Sequence, residues 1–382
     1  MPPLALYAHF PWCARKCPYC DFNSHTLRDD GGGALFKAWR AAILADLETA
    51  LPQIAGRSVG SVFIGGGTPS LLPADELEKL LDALRSRLPF EPEIEITLEA
   101  NPGTVEVSRL RDNRAAGVTR LSLGIQSFDD GLLARIGRIH NGREARQALE
   151  AALARFDRVN VDLMYALPEQ SSAQALNDLE IAIASGVRHL SCYCLTVEPN
   201  TPFADNPPRD LPDEDAVADM EEAIRARLAG AGFRRYEVSA FAHAGHECRH
   251  NLNYWQFGDY LGLGPGAHGK LTTSGGIMRE MRHKHPARYL EGAARRDFIQ
   301  EKHVVGAKDL PFEFMMNALR LTDGVPAAFF AERTGLPLEM VAPQLERARR
   351  AGLLDPAQEL LRPTPQGMQF LNELLQWFLA ER

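Results

Sequence analysis

Between Leu4 and Thr196, short β-rich runs alternate with helix-length amphipathic stretches, and no other feature of the chain restricts its fold as much. The β-rich runs are Leu4–His9, Ser61–Ile64, Glu93–Leu98, Arg120–Gly124, Arg158–Leu163 and Leu190–Thr196. Between them, Leu35–Leu51, Asp75–Leu88, Val105–Ala116, Gly142–Phe156 and Ala173–Ala184 place apolar residues three and four apart, the period of one helix face. Strand and helix in turn predict a parallel sheet with right-handed crossovers. A closed eight-unit barrel takes about 250 residues. Six units in this shorter span predict an α/β fold built as an open, partial (β/α)6 barrel.

A further helix at Asp213–Gly230 completes a barrel core over residues 1–230. Residues 231–302 read as a mixed connecting region, rich in Gly, His, Tyr and Arg. Residues 303–382 read as a mostly helical C-terminal domain, with turns at Thr322-Asp323-Gly324, Thr334-Gly335-Leu336-Pro337 and Ala351-Gly352. The run Asp-Asp-Gly-Gly-Gly-Ala at 29–34 predicts a flexible loop.

The net charge of −8, with no basic run, argues against nucleic acid as the main partner. No apolar stretch approaches the ~18 residues of a membrane-spanning helix. The N-terminal segment lacks the basic start of a secretory signal. Six cysteines among 382 residues are too sparse for a disulfide scaffold. A cytoplasmic, reducing location is expected, and there a tight cysteine cluster reads as metal or redox chemistry.

That cluster is Cys13-Ala14-Arg15-Lys16-Cys17-Pro18-Tyr19-Cys20, spaced C-x3-C-x2-C just after the first strand. In a barrel, this is the loop face where chemistry is kept. Three thiolates satisfy three irons of a four-iron cluster and leave the fourth open, whereas clusters held wholly by cysteine have no such opening. The competing reading is structural zinc, which wants four N or S ligands, with His9 or His25 nearest as the fourth. Tyr19 before the last cysteine and Tyr7 beneath the cluster suit a shielded redox centre.

The run from Tyr7 to Phe22, Tyr-Ala-His-Phe-Pro-Trp-Cys-Ala-Arg-Lys-Cys-Pro-Tyr-Cys-Asp-Phe, resembles the radical S-adenosylmethionine signature. More narrowly it resembles the oxygen-independent coproporphyrinogen oxidase group and its HemW-type heme-chaperone relatives. The resemblance covers nearly the whole chain. Phe63-Ile-Gly-Gly-Gly-Thr-Pro69 follows the second strand, and glycine there lets backbone approach a ligand closely. The resemblance makes Gly66, Gly67 and Thr68 the loop that meets the cofactor's methionine amino group. Strand ends then offer Glu99, Gln126 and Asp162, with Arg138 twelve residues after Gln126. Each alone is more often a surface or capping residue. By resemblance, Glu99, Gln126 and Asp162 hold the amino and ribose groups, and Arg138 takes the carboxylate. The implied chemistry is reductive cleavage of S-adenosylmethionine to methionine and a 5′-deoxyadenosyl radical. An electron donor such as flavodoxin or ferredoxin is implied with it.

Two function classes follow from the resemblance: decarboxylation of coproporphyrinogen propionates, and delivery of heme to apo-hemoproteins, membrane-associated cytochromes among them. The decarboxylase pattern carries a fourth cysteine two residues after the third, where this chain has Phe22, and a longer N-terminal extension. His250-Asn-Leu-Asn-Tyr-Trp255 matches the HNxxYW motif of the chaperone group. Imidazole is a good axial ligand for heme iron, so His250 is expected to contact heme, with Tyr254 and Trp255 able to stack on the ring. The plainer alternative is a histidine bonded to a loop beside core aromatics. Cys248 could supply a thiolate ligand but reads more readily as a buried small hydrophobe, and Cys192 and Cys194 read as barrel packing. The segment from Leu361 to Phe378 resembles the end of a winged-helix-like module, suited to packing over the barrel mouth or docking a client.

Overall fold

The structure is a computed structural model and describes residues 1–27, 32–104 and 107–380. Residues 29–31 of the expected glycine loop, and residues 105 and 106 at the start of the expected third helix, lie outside the described residues.

The six β-rich runs form β1 (Leu4–Phe10), β2 (Val59–Gly66), β3 (Phe90–Ala100), β4 (Arg120–Gln126), β5 (Arg158–Tyr165) and β6 (His189–Cys194). Six further strands join the same sheet: β7 (Arg234–Arg235), β8 (Ala240–Ala242), β9 (Asp259–Leu263), β10 (His268–Thr273), β11 (Gly276–Arg282) and β12 (Ile299–Val304). Their spatial order is β12-β11-β10-β9-β1-β2-β3-β4-β5-β6-β8-β7. From β9 through β1 to β6 every neighbour is parallel, and the pairs outside that block are antiparallel. Among the described residues β12 and β7 do not pair, so the barrel is open, as six units predict.

The parallel strands are joined by α1 (Gly32–Ile54), α2 (Ala74–Arg85), α3 (Val107–Ala115), α4 (Gly142–Leu153) and α5 (Ser172–Ala184). Capping boxes fix two of the starts: Asn141 with Glu144 opens α4, and Ser171 with Gln174 opens α5. Each strand alternates between two environments. Leu6, Ala8 and Phe10 of β1, Val62 and Ile64 of β2, and Leu121, Leu123 and Ile125 of β4 join the apolar core shared with the helices. The residues between them, such as Tyr7, His9, Ser122 and Asn160, fall on the opposite, inner face. Cys192 lies in the helix-side core and Cys194 packs against it.

The connecting region supplies β9 as a seventh parallel strand beside β1, with β10–β12 outside it. These strands read as polar because charges are buried within them. Lys270 donates to Asp259 at 2.9 Å and to the Phe257 carbonyl at 3.1 Å. Arg282 bonds Asp46 of α1 at 3.1 Å and Glu280 at 2.8 Å. Buried charges persist only when paired in this way. The Asp46 pair reaches further, because Tyr289 donates its hydroxyl to Asp46 at 2.8 Å and accepts the Gly264 N–H at 3.0 Å. Gly264 has φ +103°, and a Cβ there would lie 2.4 Å from the His9 carbonyl. Thus α1 and the connecting region clamp the turn after β9 against the end of β1.

Beyond Val304 the chain is mostly helical, with one short antiparallel pair, Val325–Pro326 against Leu360–Leu361. Its core takes in Phe257 and Tyr236 of the connecting region. Phe257 meets Phe314 edge-on at 5.5 Å, and Arg320 lies 4.3 Å over the Trp255 ring.

Candidate cofactor site

After Phe10 the chain folds back on itself: Trp12–Cys13 pairs with His25–Thr26, and Leu27 N–H donates to the Cys13 carbonyl at 2.8 Å. The glycine-rich end of β2 holds this loop from the side. Gly67 N–H donates to the Phe10 carbonyl at 2.6 Å and Thr68 N–H to the Trp12 carbonyl at 2.8 Å. Glycine is required by the closeness of that contact. A Cβ on Gly67 would sit 2.5 Å from the Trp12 carbonyl oxygen, and one on Gly66 (φ +116°) would sit 2.5 Å from the His9 ring.

Cys13, Cys17 and Cys20 line one cavity of about 340 Å³ at the end of the parallel strands. The expected Tyr19, Gly66, Gly67 and Thr68 line it with them, as do Glu99, Gln126, Arg138 and Asp162. Arg138 donates to Cys17 Sγ at 3.5 Å and to the Gly124 carbonyl. Burial pushes the Cys13 thiol up, while bonds from Thr68 and Ser24 act in the other direction. Gln126 ends β4 in the left-handed region, at φ +70°, where the ladder to β5 shifts register. Such backbone persists where its surroundings over-determine it, and here it turns the amide into the cavity.

The inner strand face supplies residues that motif reading missed: Arg120, Ser122, Asn160, His189, Ser191 and Tyr193. They form a bonded floor. Asn160 Nδ2 donates to Ser122 Oγ at 2.7 Å and to Asp162 at 2.8 Å, and its Oδ1 meets His189 Nδ1 at 2.6 Å. Their signal was polar residues two apart within apolar strands, as in Arg120, Ser122, Gly124 and Gln126.

Two expected residues lie elsewhere. Tyr7 lines a neighbouring cavity and bonds His9 Nδ1 at 2.9 Å. His250 lines neither cavity. It sits on a short helix, α6 (Arg249–Trp255), is 2% exposed, and bonds Ser61 Oγ through Nδ1 at 3.0 Å while Nε2 has no partner among the described residues. Burial, then the Arg120 charge, pulls its pKa down to about 3. Cys248 is fully buried beside Glu95, its thiol pushed up to about 12, chiefly by burial. It is a neutral side chain.

Glu99 accepts the Gly66 N–H at 2.9 Å, yet burial, with Asp162 nearby, raises its carboxyl from 4.5 to about 7. The folded chain therefore holds a proton on Glu99 that the unfolded chain releases near pH 4.5. Stability from this group is lost as pH rises from about 4.5 to about 7 and changes little beyond. Glu99→Gln should remove that loss. Relative to wild type, the variant should gain about 2 kcal/mol between pH 5 and pH 8 in denaturant unfolding, after discount for partial solvation. An equal difference at both pH values would refute the shift.

Three thiols with an adjacent guanidinium, and a polar pocket opening beside them, suit a cluster with one open iron and a cofactor bearing amino, carboxylate and hydroxyl groups. Among the described residues, no three Cys, His, Asp or Glu side chains gather around one point as a single ion requires.

The comparisons with known proteins agree with this class. The Radical SAM superfamily profile matches residues 7–181 and the HemN C-terminal domain profile residues 305–370. This is a radical S-adenosylmethionine protein, a class whose cofactors are a 4Fe-4S cluster and S-adenosylmethionine. Heme chaperone HemW of Escherichia coli K12 is 46% identical across 100% of this chain and 99% of its own length. The Haemophilus influenzae HemW is 47% identical over the same shares, and that of Bacillus subtilis 33% identical over 98% of this chain and 99% of its own. The chain belongs to the HemW family. The solved E. coli coproporphyrinogen III oxidase HemN superposes with a TM-score of 0.83 over 99% of this chain and 90% of that one, at 22% identity, and so shares the fold.

Proposed function

We propose that this protein binds heme and passes it to apo-hemoproteins, carrying a 4Fe-4S cluster on Cys13, Cys17 and Cys20. The observation that carries the reading is 46% identity with the E. coli HemW heme chaperone over the whole chain. Gly66, Gly67 and Thr68 would meet the amino group of S-adenosylmethionine. Glu99, Gln126 and Asp162 would hold its amino and ribose groups, and Arg138 its carboxylate. When bound, the cluster supplies one electron to that cofactor. The chain's own contribution is orientation: Arg138 spans Cys17 and β4, Tyr19 lines the cavity with the three cysteines, and the strand-face network fixes Asp162.

The proposal includes a cytoplasmic location, a flavodoxin- or ferredoxin-like electron donor, and membrane-associated cytochromes among the clients. No helix among the described residues is long and apolar enough to cross a membrane. Phe22, at the position of the decarboxylase group's fourth cysteine, lies 59% exposed on the cavity rim. The test is anaerobic reconstitution followed by separate titrations with heme and coproporphyrinogen III. Heme should give a saturable Soret band, and coproporphyrinogen should not be converted to protoporphyrinogen. Turnover of coproporphyrinogen under reducing conditions would overturn the chaperone reading.

A further inference from the structure

Behind the cluster cavity lies a second one of about 590 Å³, sharing Gly66, Glu99, Asp21, Phe22 and Ser24 with the first. Its volume is within the ~300–1,000 Å³ of small-molecule sites. Aromatic rings form much of its wall: Tyr254 and Tyr260 lie with centroids 4.2 Å apart, and Phe22 stands at the edge common to both cavities. Lys16 and Lys284 bring two cations to the lining, and His268 an exposed imidazole at the first residue of β10. Flat apolar walls, paired cations and an imidazole are the groups that recognise a planar, dicarboxylate, iron-bearing ring.

Building on the heme-chaperone reading, we propose that heme seats in this second cavity, against Tyr254 and Tyr260, with its propionates on Lys16 and Lys284 and its iron on His268. Among the imidazoles lining the cavity, His9 is committed on both nitrogens, to the Tyr7 hydroxyl and the Asn23 carbonyl, each at 2.9 Å. The ring of His25 packs edge-on against His285, and its Nε2, without a partner among the described residues, is buried. No hydrogen bond occupies His268 among the described residues, and partial desolvation at the cavity mouth, with Lys284 and Arg279 near, holds its pKa below the ordinary value. It is thus neutral near pH 7, the form that binds iron. The carboxyl groups on the lining are Asp21 and Glu99, both at the end shared with the cluster cavity.

The motif histidine then has a different part. The His250 ring meets Tyr254 edge-on at 5.1 Å and Phe63 at 5.0 Å. It is a positioning residue that fixes Tyr254 as a wall of the heme cavity. The motif tryptophan faces Arg320 and ties the same helix to the C-terminal core.

The test compares heme with iron-free protoporphyrin IX, titrated into the reconstituted full chain by Soret absorbance and fluorescence. His268→Ala should shift the Soret maximum and weaken heme at least tenfold while leaving protoporphyrin affinity unchanged. The double variant Lys16→Glu, Lys284→Glu should weaken both ligands at least tenfold. In both variants, cluster absorbance and S-adenosylmethionine binding should persist, which reports an intact barrel. Wild-type spectra and affinities in both variants would overturn the second-cavity site. Equal weakening of both ligands by His268→Ala would overturn His268 as the iron ligand. Failure of the wild-type protein to bind heme would instead overturn the chaperone reading itself.

Discussion

Cys17→Ala should yield a folded protein that retains no 4Fe-4S cluster after anaerobic reconstitution, with the broad visible absorbance of the cluster lost. Each thiol serves one iron, and with the fourth iron already open, losing a second protein ligand leaves the cube held at two corners. Cys13→Ala and Cys20→Ala should behave alike, and wild-type protein should bind about four irons and four sulfides. The fold should survive because loop geometry rests on backbone bonds to Gly67 and Thr68 rather than on the thiols. Arg138→Ala is the control that separates roles. It should keep the cluster yet weaken S-adenosylmethionine roughly 10- to 150-fold, the cost of one charge-assisted contact. Cluster retention in all three cysteine variants would refute the assignment.

The second large effect is on stability. Asp46→Ala leaves the fully buried Arg282 guanidinium with Glu280 as its one remaining carboxylate and takes the acceptor from the Tyr289 hydroxyl, since both bond Asp46. Removing one member of a buried ion pair costs about 3–5 kcal/mol when the remaining charge is left alone, and the Glu280 contact places this loss toward the lower end. The denaturant midpoint should fall accordingly. Since Tyr289 also anchors Gly264, heme binding should weaken with it, while a surface control such as Asp75→Ala, whose partner Lys79 is solvated, should shift the midpoint little. An unchanged midpoint for Asp46→Ala would mean that the pair is dispensable.

The parallel core was legible because its periodicity is strong, and the cysteine loop because its spacing is short and local. The strands nevertheless run past the expected ends. Glycines at 65 and 66 and the polar Glu99 and Gln126 continue ladders that a sequence reading closes early, because side-chain preference does not register backbone pairing. Strands β9–β12 were missed for a different reason. Lys270 and Arg282 mark surface in a sequence, and only the partners brought by Asp259 and Asp46 make them interior. The strand-end polar residues were found by position. The floor residues Ser122, Asn160 and His189 were not, because mid-strand alternation was read as fold rather than as site.

The placement of β9 carries a consequence for how the molecule is made. β1 leaves the ribosome before the other strands of its sheet, and one of its edges is soon covered by β2. Its other edge pairs with β9, where Tyr7 faces Gly262 and Ala8 faces Leu263. Until those late residues are synthesised, a strand rich in buried apolar side chains exposes unpaired backbone, the template on which other chains add. The interval is long for vectorial synthesis, and it makes the nascent barrel a natural client of the chaperones that guard open sheet edges.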